Sequence, residues 1–210
     1  MPRKPAHERF DTLAAIETRA FELFGRFGYE GVSIGDIAKA ARISKGALYW
    51  HFKGKEELYL DCLKRLHAIF VGYILEPMRR EPDPIQSIML LFSGLQRMLQ
   101  DPRVENGVAG YWLTPSTPET AHIDAAQRAF ENAAIATLRG VLQRGMDERK
   151  LDFAGDLDEL ARAIISLVEA CVLPLRHRSA DEVHGMLSVM ARTMFRAYAR
   201  SEDALRLAAP

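Results

Sequence analysis

Lys45, Tyr49, His51, Lys53 and Lys55 set three cations and two hydrogen-bonding ring side chains within eleven residues. Lysines reach phosphate oxygens or the O6 and N7 edge of guanine, and tyrosine and histidine donate to a nucleic-acid backbone. Gly46 and Ala47 are small, so the axis of a helix carrying them can come close to base edges. Trp50 adds an aromatic surface to the same run. Such a set suits a helix laid in a DNA major groove with its flanks on phosphates. Core aromatics beside a solvated lysine face would use some of the same residue types. Four lysines from Lys39 to Lys55 coincide, however, with signals that turn other residues inward.

Those signals belong to two short helices around a tight turn. Ser33 is an N-cap with Asp36 three positions on, a capping-box pair. Ile34, Ile37 and Ala38 form one apolar stripe, Ala40, Ala41 and Arg42 allow a close turn, and Ile43 plugs the core. Ser44 caps the second helix, from about Lys45 to His51, while Leu48 and Phe52 point inward four residues apart. Lys55 then opens a further helix with Glu56, Glu57 and Leu58, where free backbone N–H groups also attract phosphate.

The run from Phe24 through Gly25, Arg26, Phe27, Gly28, Tyr29, Glu30, Gly31, Val32, Ser33, Ile34, Gly35, Asp36 and Ile37 to Ala38 resembles the N-terminal domain of TetR-type transcriptional regulators. The likeness continues from Ile43 to Leu58 and centres on Leu48-Tyr49-Trp50-His51-Phe52, followed by a lysine before a new helix. It is specific over about the first quarter of the chain; the rest matches in length and helical pattern. The resemblance implies an all-α fold: an N-terminal three-helix helix-turn-helix DNA-binding domain (1–55) and a C-terminal helical effector-binding and dimerisation domain (56–210). It implies a homodimer on double-stranded DNA with a palindromic operator, with Ser33, Ser44, Lys45, Gly46, Ala47, Tyr49, Trp50, His51 and Lys55 at the interface. Ser33, Tyr49, His51 and Lys55 would take phosphates; Lys45, Gly46, Ala47 and Trp50 would lie nearer the bases. An unknown small-molecule effector would tilt the helix after Lys55 and change the spacing of the two reading heads. An effector-independent, nucleoid-associated DNA-binding protein on the same fold is the alternative.

Charge distribution agrees with the residue reading. Formal net charge is zero over 210 residues, yet residues 1–55 carry ten Lys/Arg against six Asp/Glu, and the remainder 18 against 22. One end is therefore basic and the body mildly acidic, as expected of a protein that meets phosphates through one end. No charged-then-apolar leader and no run of about 18 apolar residues is present, so a cytoplasmic protein with no membrane span is expected. Cys62 and Cys171 are expected as free, buried thiols.

Punctuation predicts the remaining elements. A first helix runs from Glu8 to Phe27 and stops at Gly28, and the helix from Lys55 runs to about Arg80. Asp83-Pro84, Asp101-Pro102 and Thr117-Pro118 place caps before prolines, and Asp156 and Ser179 open capping boxes. Helices are thus expected over 84–100, 102–112, 118–149, 157–176 and 180–200. The last two carry the most apolar surface and are expected to form half of a four-helix bundle with a twofold mate. Tyr111 and Trp112 are expected as exposed aromatics at a loop.

For a ligand, the large and polar side chains of the middle helices suggest Phe92, Gln96, Trp112, His122, Phe130 and Glu169. No catalytic pattern is visible: no Gly-x-Ser-x-Gly elbow, no phosphate-cradling loop, no His-Glu-x-x-His. The six histidines are scattered, so neither an enzyme, a metal site nor a cofactor is expected.

Overall fold

A cluster of aromatic rings organises the N-terminal half of this computed structural model, which describes residues 6–104, 107–114, 116–172, 180–198 and 200. The elements among the described residues are all helical. The chain divides into two compact units, Met1–His67 with Pro102–Gln127, and Ala68–Asp101 with Arg128–Pro210.

In the first unit, α1 (Ala6–Phe27) buries Ile16, Ala20, Phe21 and Phe24 on one side. It stops because Gly28 takes φ +73°, a left-handed conformation open to glycine, with its N–H on the Phe24 carbonyl at 2.9 Å. α2 (Ile34–Ala40) starts at the expected Ser33–Asp36 capping box, and α3 (Lys45–Tyr49) starts at Ser44, which accepts from the Ala47 N–H at 3.1 Å. Ile37, Ala38, Leu48 and Phe52 are buried as expected, whereas Ile43 is half-buried rather than a full core plug. α4 (Lys55–Phe70) supplies Leu58, Tyr59 and Leu63 to the same core.

Residues 102–112 do not form the expected helix. Asp101 is buried and accepts the Tyr73 hydroxyl at 2.7 Å. The chain instead makes a turn, passes Gly107 at φ +100° and forms one 3₁₀ turn, Ala109–Trp112. That turn lies backbone to backbone on the end of α1. A Cβ on Gly110 would sit 2.3 Å from the Phe24 carbonyl oxygen, and one on Gly25 2.2 Å from that of Gly107. This close approach carries Tyr111 inside, correcting its expected exposure. It is 1% exposed, donates to the Phe21 carbonyl at 3.2 Å, and its ring lies 5.3 Å from Tyr59 and 5.5 Å from Phe21. Trp112 is half-buried too, with its indole N–H shielded and without an acceptor. Cys62 is a free, buried thiol as expected, pushed up to about 12 by burial, whereas the Cys171 side chain lies outside what is described.

The second unit begins where the helix from Lys55 continues through a π-helical stretch, Val71–Leu75, into α5 (Glu76–Arg80). Pro77 has no N–H for the Tyr73 carbonyl, and Glu76 donates to Val71 instead, five residues back. Gly94 lets α6 (Pro84–Leu99) press onto that released carbonyl; a Cβ there would lie 2.5 Å from it. Asp83 caps α6 through the Ile85 and Gln86 N–H groups, both at 2.9 Å. Thr117 and Pro118 open only a 3₁₀ turn, Pro118–Thr120, which leads into α7 (Ala121–Asp147). α8 (Leu157–Val172) starts at Asp156, which accepts from Asp158, and α9 (Ala180–Tyr198) packs on α6. The expected Ser179 cap and residues 173–176 lie outside the described residues. Leu160, Ala161, Ile164, Ile165 and Val168 of α8 and Val183, Leu187 and Ala191 of α9 are buried. Leu167 and Val189 remain 53% and 55% exposed.

Replacing Gly110 with Ala is expected to destabilise the protein by about 1–3 kcal/mol or more, because the backbone atoms it meets cannot yield as a side chain would. Chemical unfolding followed by circular dichroism measures this; an unchanged midpoint would refute the backbone docking.

Candidate nucleic-acid interface

α3 has five residues, too few to hold a helix on its own. Its Ser44 cap, its packing on α2 and the full burial of Leu48 fix its rotation about its axis. With Leu48 inward, Lys45, Gly46 and Tyr49 are exposed and Ala47 half-exposed, Tyr49 at 55%. Trp50 is 89% exposed, an exceptional position for the largest apolar side chain. The helix is shorter than expected: Trp50 is its C-cap, and His51 follows in a turn with its N–H on the Leu48 carbonyl at 2.9 Å. His51 is half-buried while Ser33 and Ser44 are exposed.

Neighbouring charges are organised by short local bonds. The Ser33 hydroxyl and backbone N–H donate to the Asp36 carboxylate at 2.6 and 2.9 Å, and the Asp36 N–H returns to the Ser33 oxygen at 3.2 Å. These bonds, with weaker attraction from Lys39 and Lys45, hold the Asp36 carboxyl below the usual range. The Lys45 chain folds over Gly35, where a Cβ would meet its terminal carbon at 2.8 Å. The Lys55 ammonium sits 4.2 Å from the Tyr29 ring centroid and 3.9 Å from Glu30. Tyr29 in turn packs edge-on to Tyr59, so the sequence reading missed a ring that holds Lys55 to the core. Glu57 reaches back to the Lys53 N–H at 2.5 Å and closes the start of α4.

The six expected ligand residues are divided between the two units. Trp112 and His122 belong to the first unit, Phe92, Gln96, Phe130 and Glu169 to the second. His122 is exposed beside Glu56 at 3.2 Å, in an open cleft with Phe52, Asp61 and Lys64. Phe92 is buried, Gln96 and Glu169 are half-buried, and Phe130 packs edge-on to Phe70 at 5.3 Å. The second unit contains a small apolar cleft with about 20 Å³ of free space. Leu142, Met146, Leu151, Phe153, Ile164 and Met194 help to line it, and none of the six expected residues does. Among the described residues no group of three or more His, Cys, Asp or Glu could hold a metal ion. No described helix is long and apolar enough to cross a membrane.

Residues 16–62, from α1 into α4, match the family model for bacterial regulatory proteins of the tetR family. Over 189 residues the chain is 33% identical to IcaR, the negative transcriptional regulator of the biofilm operon icaADBC of Staphylococcus epidermidis, covering 84% of this chain and 97% of IcaR. It is 44% identical over 61 residues to the transcriptional regulator AcrR of Shigella flexneri, a match spanning 29% of this chain and 28% of AcrR. A TetR-family regulator from Agrobacterium tumefaciens has the same fold, with TM-score 0.75 and 21% identity over 91% of this chain and all 100% of that one. NalD, the secondary repressor of the MexAB-OprM efflux pump of Pseudomonas aeruginosa, gives TM-score 0.71 and 22% identity over 93% of this chain and 99% of NalD. With relatives that are named as transcriptional regulators over most of their length, the chain is a DNA-binding transcriptional regulator and not an enzyme. The identity to IcaR runs through most of both chains, and the chain belongs to the TetR family.

Ser33→Ala is expected to raise the Asp36 pKa toward the ordinary carboxylate range and to cost about 1 kcal/mol of cap stability near pH 7. Because the folded carboxyl is the stronger acid, its contribution is present above the unfolded pKa of about 3.9 and is lost as pH falls through the lower folded value. An NMR titration of Asp36 with unfolding at pH 7 and pH 3 checks both; equal loss at both pH values would contradict the linkage.

Proposed function

We propose that the protein is a homodimeric repressor that binds a palindromic operator and is released from it by a small molecule. The observation that carries this reading is α3 itself: a five-residue helix with Leu48 fully buried and Lys45, Tyr49 and Trp50 facing outward. A rod this short spans few base pairs, so two copies about 34 Å apart, in successive major grooves, are needed for an operator-length site. Ser33, Tyr49, His51 and Lys55 take phosphates; Lys45, Gly46, Ala47 and Trp50 face the bases, and Ser44 presents the helix start. Exposed Leu167 on α8 and Val189 on α9 support a twofold interface through these helices. IcaR and NalD are named as a negative regulator and a repressor, which favours repression here.

Residues 1–55 act as the DNA-binding part and 56–210 as the effector and dimerisation part, in the cytoplasm. Both α4 and α7 contribute residues to both units, so a ligand that biases either helix reaches the reading head. A differential affinity of about 1–3 kcal/mol between the two head spacings suffices for a regulatory response.

Selection of bound fragments from the source genome tests the reading. One palindromic sequence is expected to bind about 10³-fold or more above random DNA. Uniform recovery would instead indicate an effector-independent, nucleoid-associated protein. Tyr49→Ala is expected to weaken binding to all duplexes while sedimentation still shows a dimer; unaltered anisotropy titrations would remove Tyr49 from the interface.

A further inference from the structure

Arg42 is one of two non-glycine residues with positive φ among the described residues, at +57°. It occupies the left-handed position of a Schellman closure at the end of α2: its N–H donates to Lys39 at 3.1 Å and the Ile43 N–H donates to Ala38 at 2.9 Å. Glycine adopts this conformation freely, whereas a Cβ crowds the following carbonyl. An arginine here is held against its backbone preference. Its side chain is exposed, and its guanidinium has no hydrogen bond or ion pair among the described residues. The carboxylate nearest in sequence, Asp36, is taken by Ser33 and lies beside Lys39 and Lys45. Arg42 therefore projects an unneutralised, planar cation from a rigid turn two residues before the cap of α3.

We infer that Arg42 is a phosphate-binding residue of the DNA interface, an addition to the contacts drawn from α3 itself. The inference rests on the reading of α2, its turn and α3 as the DNA-facing segment. A guanidinium matches phosphate oxygens with two parallel N–H donors, and the fixed turn limits the freedom lost on binding. The second positive-φ residue, Arg149, separates this role from that of a cation at a helix end. It has φ +57° in the same closure at the end of α7, with its N–H on Met146 at 3.0 Å and the Lys150 N–H on Gly145 at 2.9 Å. Arg149 belongs to the other unit, outside the helix-turn-helix.

Arg42→Gly and Arg149→Gly relieve the same backbone conformation, so both variants are expected to fold and to keep or raise the thermal midpoint. Binding of the full-length protein to a fluorescent random-sequence duplex is then followed over a salt series. Arg42→Gly is expected to bind about tenfold more weakly, with the log–log salt slope reduced by about 0.9 per subunit. Arg42→Lys should restore the slope, and Arg149→Gly should match the wild type. A wild-type slope for Arg42→Gly, while Tyr49→Ala still weakens binding, would overturn the role of Arg42 alone. Equal losses for Arg42→Gly and Arg149→Gly would assign the effect to helix closure and overturn it as well. Failure of the wild-type protein to bind any duplex would overturn the underlying reading together with it.

Discussion

The burial of Leu48 is the constraint on which the outward surface of α3 depends. A five-residue helix gains too little from its own hydrogen bonds to persist, so its existence and its rotation come from what it packs on. Turning α3 to expose Leu48 would withdraw a fully covered side chain, a loss of about 1.5–3 kcal/mol, and would swing Lys45 and Tyr49 out of place. The chemistry of the surface is therefore secured from behind, by a buried apolar contact. Ser44 and Phe52 fix the two ends of the same arrangement.

A second layer of rigidity stands behind α3. Tyr59 lies between Phe24, Tyr29 and Tyr111, with ring centroids 4.8–5.3 Å apart, and its hydroxyl meets Thr114 at 2.8 Å. Three segments distant in sequence thus share one ring, and burial pushes its hydroxyl up to about 12, so it stays protonated. The segment carrying Tyr111 can enter only because Gly25 and Gly110 let two backbones touch. Residues from the middle of the chain are consequently part of the unit that carries the helix-turn-helix.

Local signals were the legible ones. Ser33 with Asp36, Ser44, Asp83, Asp156 and Gly28 each act through bonds spanning two to four residues, and each stands where the sequence places it. After Asp101 the same signal does not extend to a helix: its carboxylate accepts Tyr73, 28 residues away, and the chain beyond it makes only a turn. Phe92, Gln96, Trp112, His122, Phe130 and Glu169 were chosen by residue type, which carries no information on convergence, and they fall in two units. The apolar cleft draws on residues from Ile88 to Tyr198, a combination that no window of sequence displays.

The amino-acid sequence by itself determined the helical class, the two capped helices around the turn, the inward Leu48 and Phe52 and the basic bias of the first 55 residues. These follow from short-range hydrogen bonding, side-chain periodicity and counted charge. The tertiary structure alone decided that Tyr111 is interior, that Lys55 rests on Tyr29 and that Arg42 is held left-handed. Each of those depends on which distant atoms occupy the neighbouring space. The Tyr111 hydroxyl finds its acceptor 90 residues away, beyond the reach of any periodic pattern.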